Sequence, residues 1–433
     1  MNDVVAALRG DRSNSLAILV FTAVTNLADG VLKVVIPLMG ASATASPLAL
    51  SMLSVMLMLP TLLLSFHVGV LVDRHDRRRL LLLSNAVRIG CLGTLLACVL
   101  QASAPLPLLY ALGFVLGVAD VVAATAISAL IPSVVPKSGW ERTNAWVTGI
   151  ETVAQEFCGP VLGGLLVAAG TSVAVGTTGA AYVFAAATVL FLGGSMKVRR
   201  TAAHHESVGR QITEGLRFLW RQPTLRLTST VLTVLCACWG AWLALIPLIA
   251  VHDMRLSSKE YGVLLSLLGV GGLAGAICVA WLNRLGGRRW VMFSDFVGTF
   301  AMVAVPLFTA HVWIIGAAAF AGGFGGVLWS VNARTISQSL VPDSMRGRFS
   351  ATARVFSLGA MPVGAAVAGA LGELVGPRAA LALFAPPVAL LIVPYFRTLT
   401  PQVLHEIFAD LRPAAPEQER EHAVQNHAQE KIL

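Results

Sequence analysis

The sequence predicts an all-α membrane protein, with twelve transmembrane helices in two pseudo-symmetric bundles of six. Three observations predict it. Apolar runs of roughly 20 residues, each enough to cross a bilayer as a helix, recur along almost the whole chain. Of the 433 residues, 56% are hydrophobic and 12% charged, against about 25% charged in a typical soluble domain. Segments of the second half echo segments of the first. Backbone polar groups in hydrocarbon must be satisfied within their own segment, so these runs are helices and not strands.

The spans are expected near 15–39, 47–70, 79–100, 105–131, 143–169, 173–195, 227–251, 259–282, 289–309, 312–336, 349–373 and 377–396. Loops on one side carry Arg74, Arg77, Arg78 and Arg79, then Lys137 and Arg142, then Lys197, Arg199 and Arg200. Arg284, Arg288, Arg289, Arg346 and Arg348 continue on that side, while the opposite loops 40–46, 101–104 and 170–172 are uncharged. Lys and Arg gather on cytoplasmic loops, so both termini are expected to be cytoplasmic. Around 196–226, Val208, Ile212, Leu216 and Leu219 recur at helical spacing between Arg210, Glu214 and Arg217. That pattern predicts an amphipathic helix lying on the membrane surface.

The linker helix separates two copies. LIPSVVPKSGWERTNA at 130–145 resembles SLVPDSMRGRFSA at 339–351, and GPVLGG at 159–164 faces MPVGAA at 361–366. Internal duplication of six-span units marks secondary transporters, with substrate bound near the midplane between the halves. The expected organisation is an N-terminal bundle over 1–195, a linker over 196–226, a C-terminal bundle over 227–396 and a cytoplasmic tail over 397–433.

The net charge of +9 raises the question of nucleic acid. The basic residues sit in short loops with no aromatic-interleaved soluble module, which argues against it. All six cysteines fall inside apolar runs and read as small buried apolar residues, not a disulfide framework. No phosphate-cradling loop occurs, so ATP is not the direct energy source. No metal-ligand set, cofactor motif or convergent catalytic cluster is visible, which argues against an enzyme. The expected partners are a small-molecule substrate, protons and the lipid bilayer, and the expected state is a monomer.

Charges inside the spans carry the sharpest functional signal, because one at the bilayer centre costs about 2.5–3.5 kcal/mol even on lenient scales. Asp29 lies mid-span one with Lys33 one turn on along the same face, which predicts an ion pair, either structural or part of the transport cycle. Glu156 lies mid-span five with no cation on its own helix, which makes it the stronger proton carrier. Glu151 and Asp120 lie toward the membrane boundary, where a structural role is at least as good a reading. Trp239, Trp242 and Trp329 are candidate stacking surfaces for cargo or membrane anchors, and Asn332 and Arg334 approach the basic end of span ten.

GVLVDRHDRRR at Gly69 to Arg79 resembles the signature turn of the major facilitator superfamily, with Asp76 in place of the usual second Gly. GPVLGG resembles the fifth-helix motif of that superfamily's antiporters, with Gln155 where a Gly is usual. Together with ADGVLKVVIPL, IPSVVP and VPDSMRGRFSA, these segments resemble the branch of macrolide, multidrug and enterobactin exporters, over nearly the whole chain to about residue 396. The resemblance implies a proton-coupled exporter of a small amphipathic molecule; an importer, a lysolipid flippase or a non-transporting sensor are the alternatives. It implies a conformational latch in which Gly69, Asp73, Arg74 and Arg77 meet span eleven near Arg354. Small residues let helices pack closely. Gly159, Pro160, Gly163 and Gly164 of span five and Gly271 and Gly275 of span eight are therefore expected to seal the half-to-half interface, or to serve ordinary bundle packing.

Overall fold

Apolar runs that cannot leave their amides unpaired fold here into long helices. The computed structural model describes residues 2–101, 103–134, 140–190, 208–342 and 345–409. Among them every regular element is helical, with π-helical stretches at Thr152–Cys158 and Ile249–Asp253. Eleven segments are long and apolar enough to cross a membrane: Leu16–Ala43, Pro47–Ser65, Arg77–Leu100, Leu106–Ile131, Trp146–Ala169, Thr171–Leu190, Pro223–Asp253, Ser258–Leu285, Gly287–Phe308, Val312–Leu340 and Pro377–Thr398. With the helix Arg346–Val375 as span eleven, whose apolar part Gly359–Val375 is shorter, they make twelve spans in the expected order.

Local chemistry explains the ends. Ser46 caps span two through Ala49 N with Pro47 in its first turn, and Ser257 and Glu260 form a capping box on span eight. These pairings satisfy amides a helix start leaves open. Asp76, the departure from the signature turn, accepts from the amides of Arg78 (2.9 Å) and Arg79 (3.4 Å) and so caps span three. Arg78 is more than a topology signal, because its Nη2 donates to the Leu190 carbonyl at the end of span six (2.7 Å). Span twelve breaks into Pro377–Ala382, Ala385–Leu390 and Ile392–Thr398. Pro386 and Pro387 have no N–H for the carbonyls one turn back.

Each half is built around a close helix crossing. In the N-terminal half span one meets span five: a β-carbon on Gly159 would fall 2.5 Å from Gly30 Cα. In the C-terminal half span seven meets span eleven: one on Gly240 would fall 2.7 Å from the Met361 carbonyl carbon, and one on Gly364 2.6 Å from that of Ala237. A proline follows at the matching place in each, Pro160 and Pro362.

Among the described residues the halves touch most extensively on one side. On the side of loops 44–46 and 254–257, Ser46 Oγ donates to Glu373 Oε2 (2.8 Å) and His252 Nε2 to the Ala41 carbonyl (2.9 Å). Span two packs on span eleven there, with Gly369 against Ser51 and Gly372 against Pro47. Toward the basic side the halves part. A methyl on Gly69 or Gly149 would meet nothing within 4 Å among the described residues. Among the described residues no close approach to Gly69 occurs in this conformation. The side chains of Asp73 and Arg354, the two ends of the expected latch, lie outside the described residues, while Arg74 is exposed and Arg77 half-buried.

The expected contact between spans five and eight forms at Pro160 and Gly164, and not at the other glycines expected to make it. Gly159 and Gly163 face span one, and Gly271 and Gly275 face Phe320 and Phe324 of span ten. Spans five and eight meet instead through Gly164 against Ser258, Gly262 against Pro160, and Gly269 against the Glu156 backbone. A stripe of small residues marks a packing face without saying which neighbour fills it.

The linker helix Val208–Arg221 is not simply laid on the membrane surface. Leu219 is buried with Leu225, Val341 and Phe349 at the basic end of the C-terminal half. Trp220 on its other face is exposed. The side chains of Val208 and Ile212 lie outside the described residues.

Candidate functional site

The opening between the halves contains two cavities with different chemistry. The first, about 240 Å³, belongs to the N-terminal half and is lined by Asp29, Arg88, Asp120, Glu151, Gln155 and several hydroxyls and amides of span one. The second, about 340 Å³, lies between the halves and is lined mainly by apolar groups, including Trp239, Leu232, Leu268 and Met361, with Glu156 and Asp295 among them.

Span one supplies Asp29 to the first cavity, yet Asp29 does not pair with Lys33 as its spacing predicts. Arg88 of span three reaches it instead, Nη2 to Oδ2 at 3.5 Å, and the same guanidinium nitrogen binds Asp120 of span four. Tyr182 of span six donates its hydroxyl to Asp29 Oδ1, and Arg88 lies over the Tyr182 ring at 5.0 Å from its centroid. Four helices are thus joined at one buried guanidinium. Two carboxylates share one cation, leaving one surplus negative charge.

Lys33 is taken by Glu156, Nζ to Oε1 at 2.5 Å. Glu156 is therefore not the cation-free acid its own helix suggested. Its position depends on the π-helical stretch Thr152–Cys158, where the Gly159 amide bonds the Ala154 carbonyl five residues back. Pro160 has no amide for the Glu156 carbonyl, and such wider turns are frequent at functional sites. The neighbouring Phe157 carbonyl accepts the Ser266 hydroxyl of span eight (2.9 Å), which ties this irregular backbone to the other half.

Among the other expected contacts, Trp239 lines the central cavity. Trp242 and Trp329 do not: both are buried, the first among Val34, Leu38 and Leu245, the second against Phe296 and Tyr395. Asn332 lines neither of the two cavities. It exchanges amide bonds with Asn283 (3.0 and 3.2 Å) and clips span ten to span eight. Arg334 is exposed, one turn beyond the cavity-lining Ser330. All six cysteines are free; Cys91 and Cys238 are buried as expected, but Cys158 is exposed.

Two charged residues of this site escaped the reading of the sequence. Arg88 lies eleven residues beyond Arg77 and Asp295 eight beyond Gly287, both deep in apolar runs. Depth inside an apolar run was the available signal.

Residues 12–429 match the transmembrane secretion effector family of the major facilitator superfamily. The chain belongs to that family. The chain is 26% identical over 394 residues to the multidrug efflux pump Tap of Mycolicibacterium fortuitum, covering 88% of this chain and 95% of the relative. It is 27% identical to the enterobactin exporter EntS of Shigella boydii, over 72% of this chain and 74% of that one. A bacterial homologue of the human lysosomal transporter Spinster, inward-facing and unoccupied, superposes with a TM-score of 0.69 at 12% identity, over 94% of this chain and 99% of that one. The protein is a multi-pass membrane transporter of this superfamily and not an enzyme.

Proposed function

We propose that the protein exports a small amphipathic molecule across a bacterial cytoplasmic membrane as a monomer, in exchange for protons. Both termini and the loop around Arg77–Arg79 lie in the cytoplasm in this reading, so the cavity open on the basic side is inward-facing. The two bundles, over 1–195 and 227–396, rock about the central chamber and expose it alternately to each side. Tap and EntS, both exporters by name, support the direction.

The observation that carries the coupling is the surplus charge at Arg88. Asp29 and Asp120 together bring two negative charges to one guanidinium, and an unneutralised charge within the membrane is costly. One proton balances the set, and rearrangement of four helices around Arg88 changes which acid holds it. The Lys33–Glu156 pair is already balanced.

The test uses the full-length protein in liposomes with an imposed pH gradient, after an accumulation screen over antibiotics, dyes and siderophores has supplied a cargo. Asp29→Asn is expected to abolish uphill transport while cargo counterflow without a gradient persists. Glu156→Gln is expected to keep a gradient response. Wild-type uphill transport by Asp29→Asn would remove Asp29 from the coupling, and cargo movement with the proton flow would reverse the direction.

A further inference from the structure

We infer that Asp295 is the recognition carboxylate of the central cavity, and that the cargo is therefore an amphipathic monocation. This rests on reading that cavity as the cargo chamber.

Asp295 sits in span nine with 2% of its surface exposed, and it lines the central cavity. Its backbone is pressed against span ten, where a β-carbon on Gly325 would fall 2.5 Å from Asp295 Cα. Among the described residues its hydrogen-bond donor is Thr299, Oγ1 to Oδ1 at 3.0 Å. Among the described residues no Lys, Arg or His forms an ion pair with it. The other acid of the same cavity, Glu156, is held by Lys33.

A buried carboxylate normally has a cation or several donors, because an isolated one is expensive to keep out of water. Here the missing partner has a place to sit. The cavity has the size of a small-molecule site, and beside the acid it offers the Trp239 ring and the side chains of Leu232, Leu235, Leu268, Val327 and Met361. Cations are favoured on the face of an indole. Gly269, Gly272, Gly323 and Gly326 keep the walls free of side chains, and a β-carbon on Gly326 would fall 3.1 Å from the Trp239 ring. One fixed negative charge in a mostly apolar chamber selects a molecule with one positive charge on an apolar body. It disfavours anions of the same shape.

The experiment is equilibrium binding of tetraphenylphosphonium and tetraphenylborate, ions of matched shape and opposite charge. Both are measured on the full chain in nanodiscs, with empty nanodiscs subtracted. Wild type is expected to prefer the phosphonium. Asp295→Asn should reduce that preference by about tenfold, the size of one lost charged contact. Asp295→Glu, which keeps the charge, should stay within about threefold of wild type. An unchanged preference in Asp295→Asn overturns the assignment, and so does a wild type that prefers the borate or binds neither ion. No gradient is involved, so failure of proton coupling and failure of cation recognition appear in different measurements.

Discussion

The two halves share a scaffold and differ in what they put on it. Gly30 meets Gly159 in one half as Gly240 meets Met361 in the other. The residue before each crossing glycine faces a cavity: Asp29 in span one, Trp239 in span seven. Around Asp29 gather Arg88, Asp120 and Tyr182. Around Trp239 the wall is mainly apolar, and among the described residues the buried acid that half contributes, Asp295, is bonded by Thr299. The crossing occurs twice, with a network of buried ion pairs beside one copy and a mainly apolar wall beside the other. In the proposed function, coupling and recognition therefore fall on different halves.

The largest expected effect comes from removing the cation that the N-terminal half depends on. Arg88→Met strands Asp29 and Asp120, and breaking a buried pair in this way costs about 3–5 kcal/mol. Thermal unfolding in detergent, followed by size-exclusion chromatography, should show a large fall in stability. Adding Asp29→Asn and Asp120→Asn should restore much of it, because no charge is then left alone. Asp295→Asn in the other half strands no ion, so its melting temperature should equal or exceed that of wild type. Equal stability of Arg88→Met and Asp295→Asn would break the contrast between the halves.

The next effect should be the same in both halves. Gly30→Ala and Gly240→Ala each place a methyl against backbone of the facing helix, at 2.6 Å from the Gln155 carbonyl oxygen and 2.7 Å from the Met361 carbonyl carbon. Backbone gives way less readily than a side chain, and overpacking of this kind costs typically about 1–3 kcal/mol. Matching losses in the same melting assay would support the common scaffold. A loss confined to one variant would show that the crossings are not equivalent.

How far the letters reach explains why the contrast was invisible before folding. Twelve spans and a duplicated plan follow from apolar run length, because a bilayer permits almost nothing else. Charges within a run announce a polar interior, so Asp29, Glu156, Glu151 and Asp120 were legible as candidates for the cavities they line, and Lys33 as a member of an ion pair. Their partners were not. Helical periodicity reports neighbours three and four residues away, which joined Asp29 to Lys33, whereas the fold joins Asp29 to Arg88 and Lys33 to Glu156. The glycine stripes failed for the same reason: Gly271 and Gly275 are a packing face, but periodicity does not say that span ten and not span five lies upon it. Pairings between helices belong to tertiary structure, and no local pattern encodes them.

The smallest effect on stability carries information about the state that is not seen. A methyl on Gly69 would meet nothing within 4 Å here, and Ala in place of Gly within a helix is favourable by roughly 0.5–1 kcal/mol. Gly69→Ala should therefore leave melting of this open form unchanged or slightly raised. If span eleven approaches that glycine when the basic side closes, the same methyl obstructs closure and transport slows although the protein is no less stable. Cysteines introduced at Val70 and Ser357, on these two spans, would report the closure by crosslinking, with yield expected to drop when Gly69→Ala is added. Wild-type transport and crosslinking in Gly69→Ala would show that the latch does not use this glycine. The asymmetry of the two cavities would stand, and the gate would have to be sought elsewhere on the basic side.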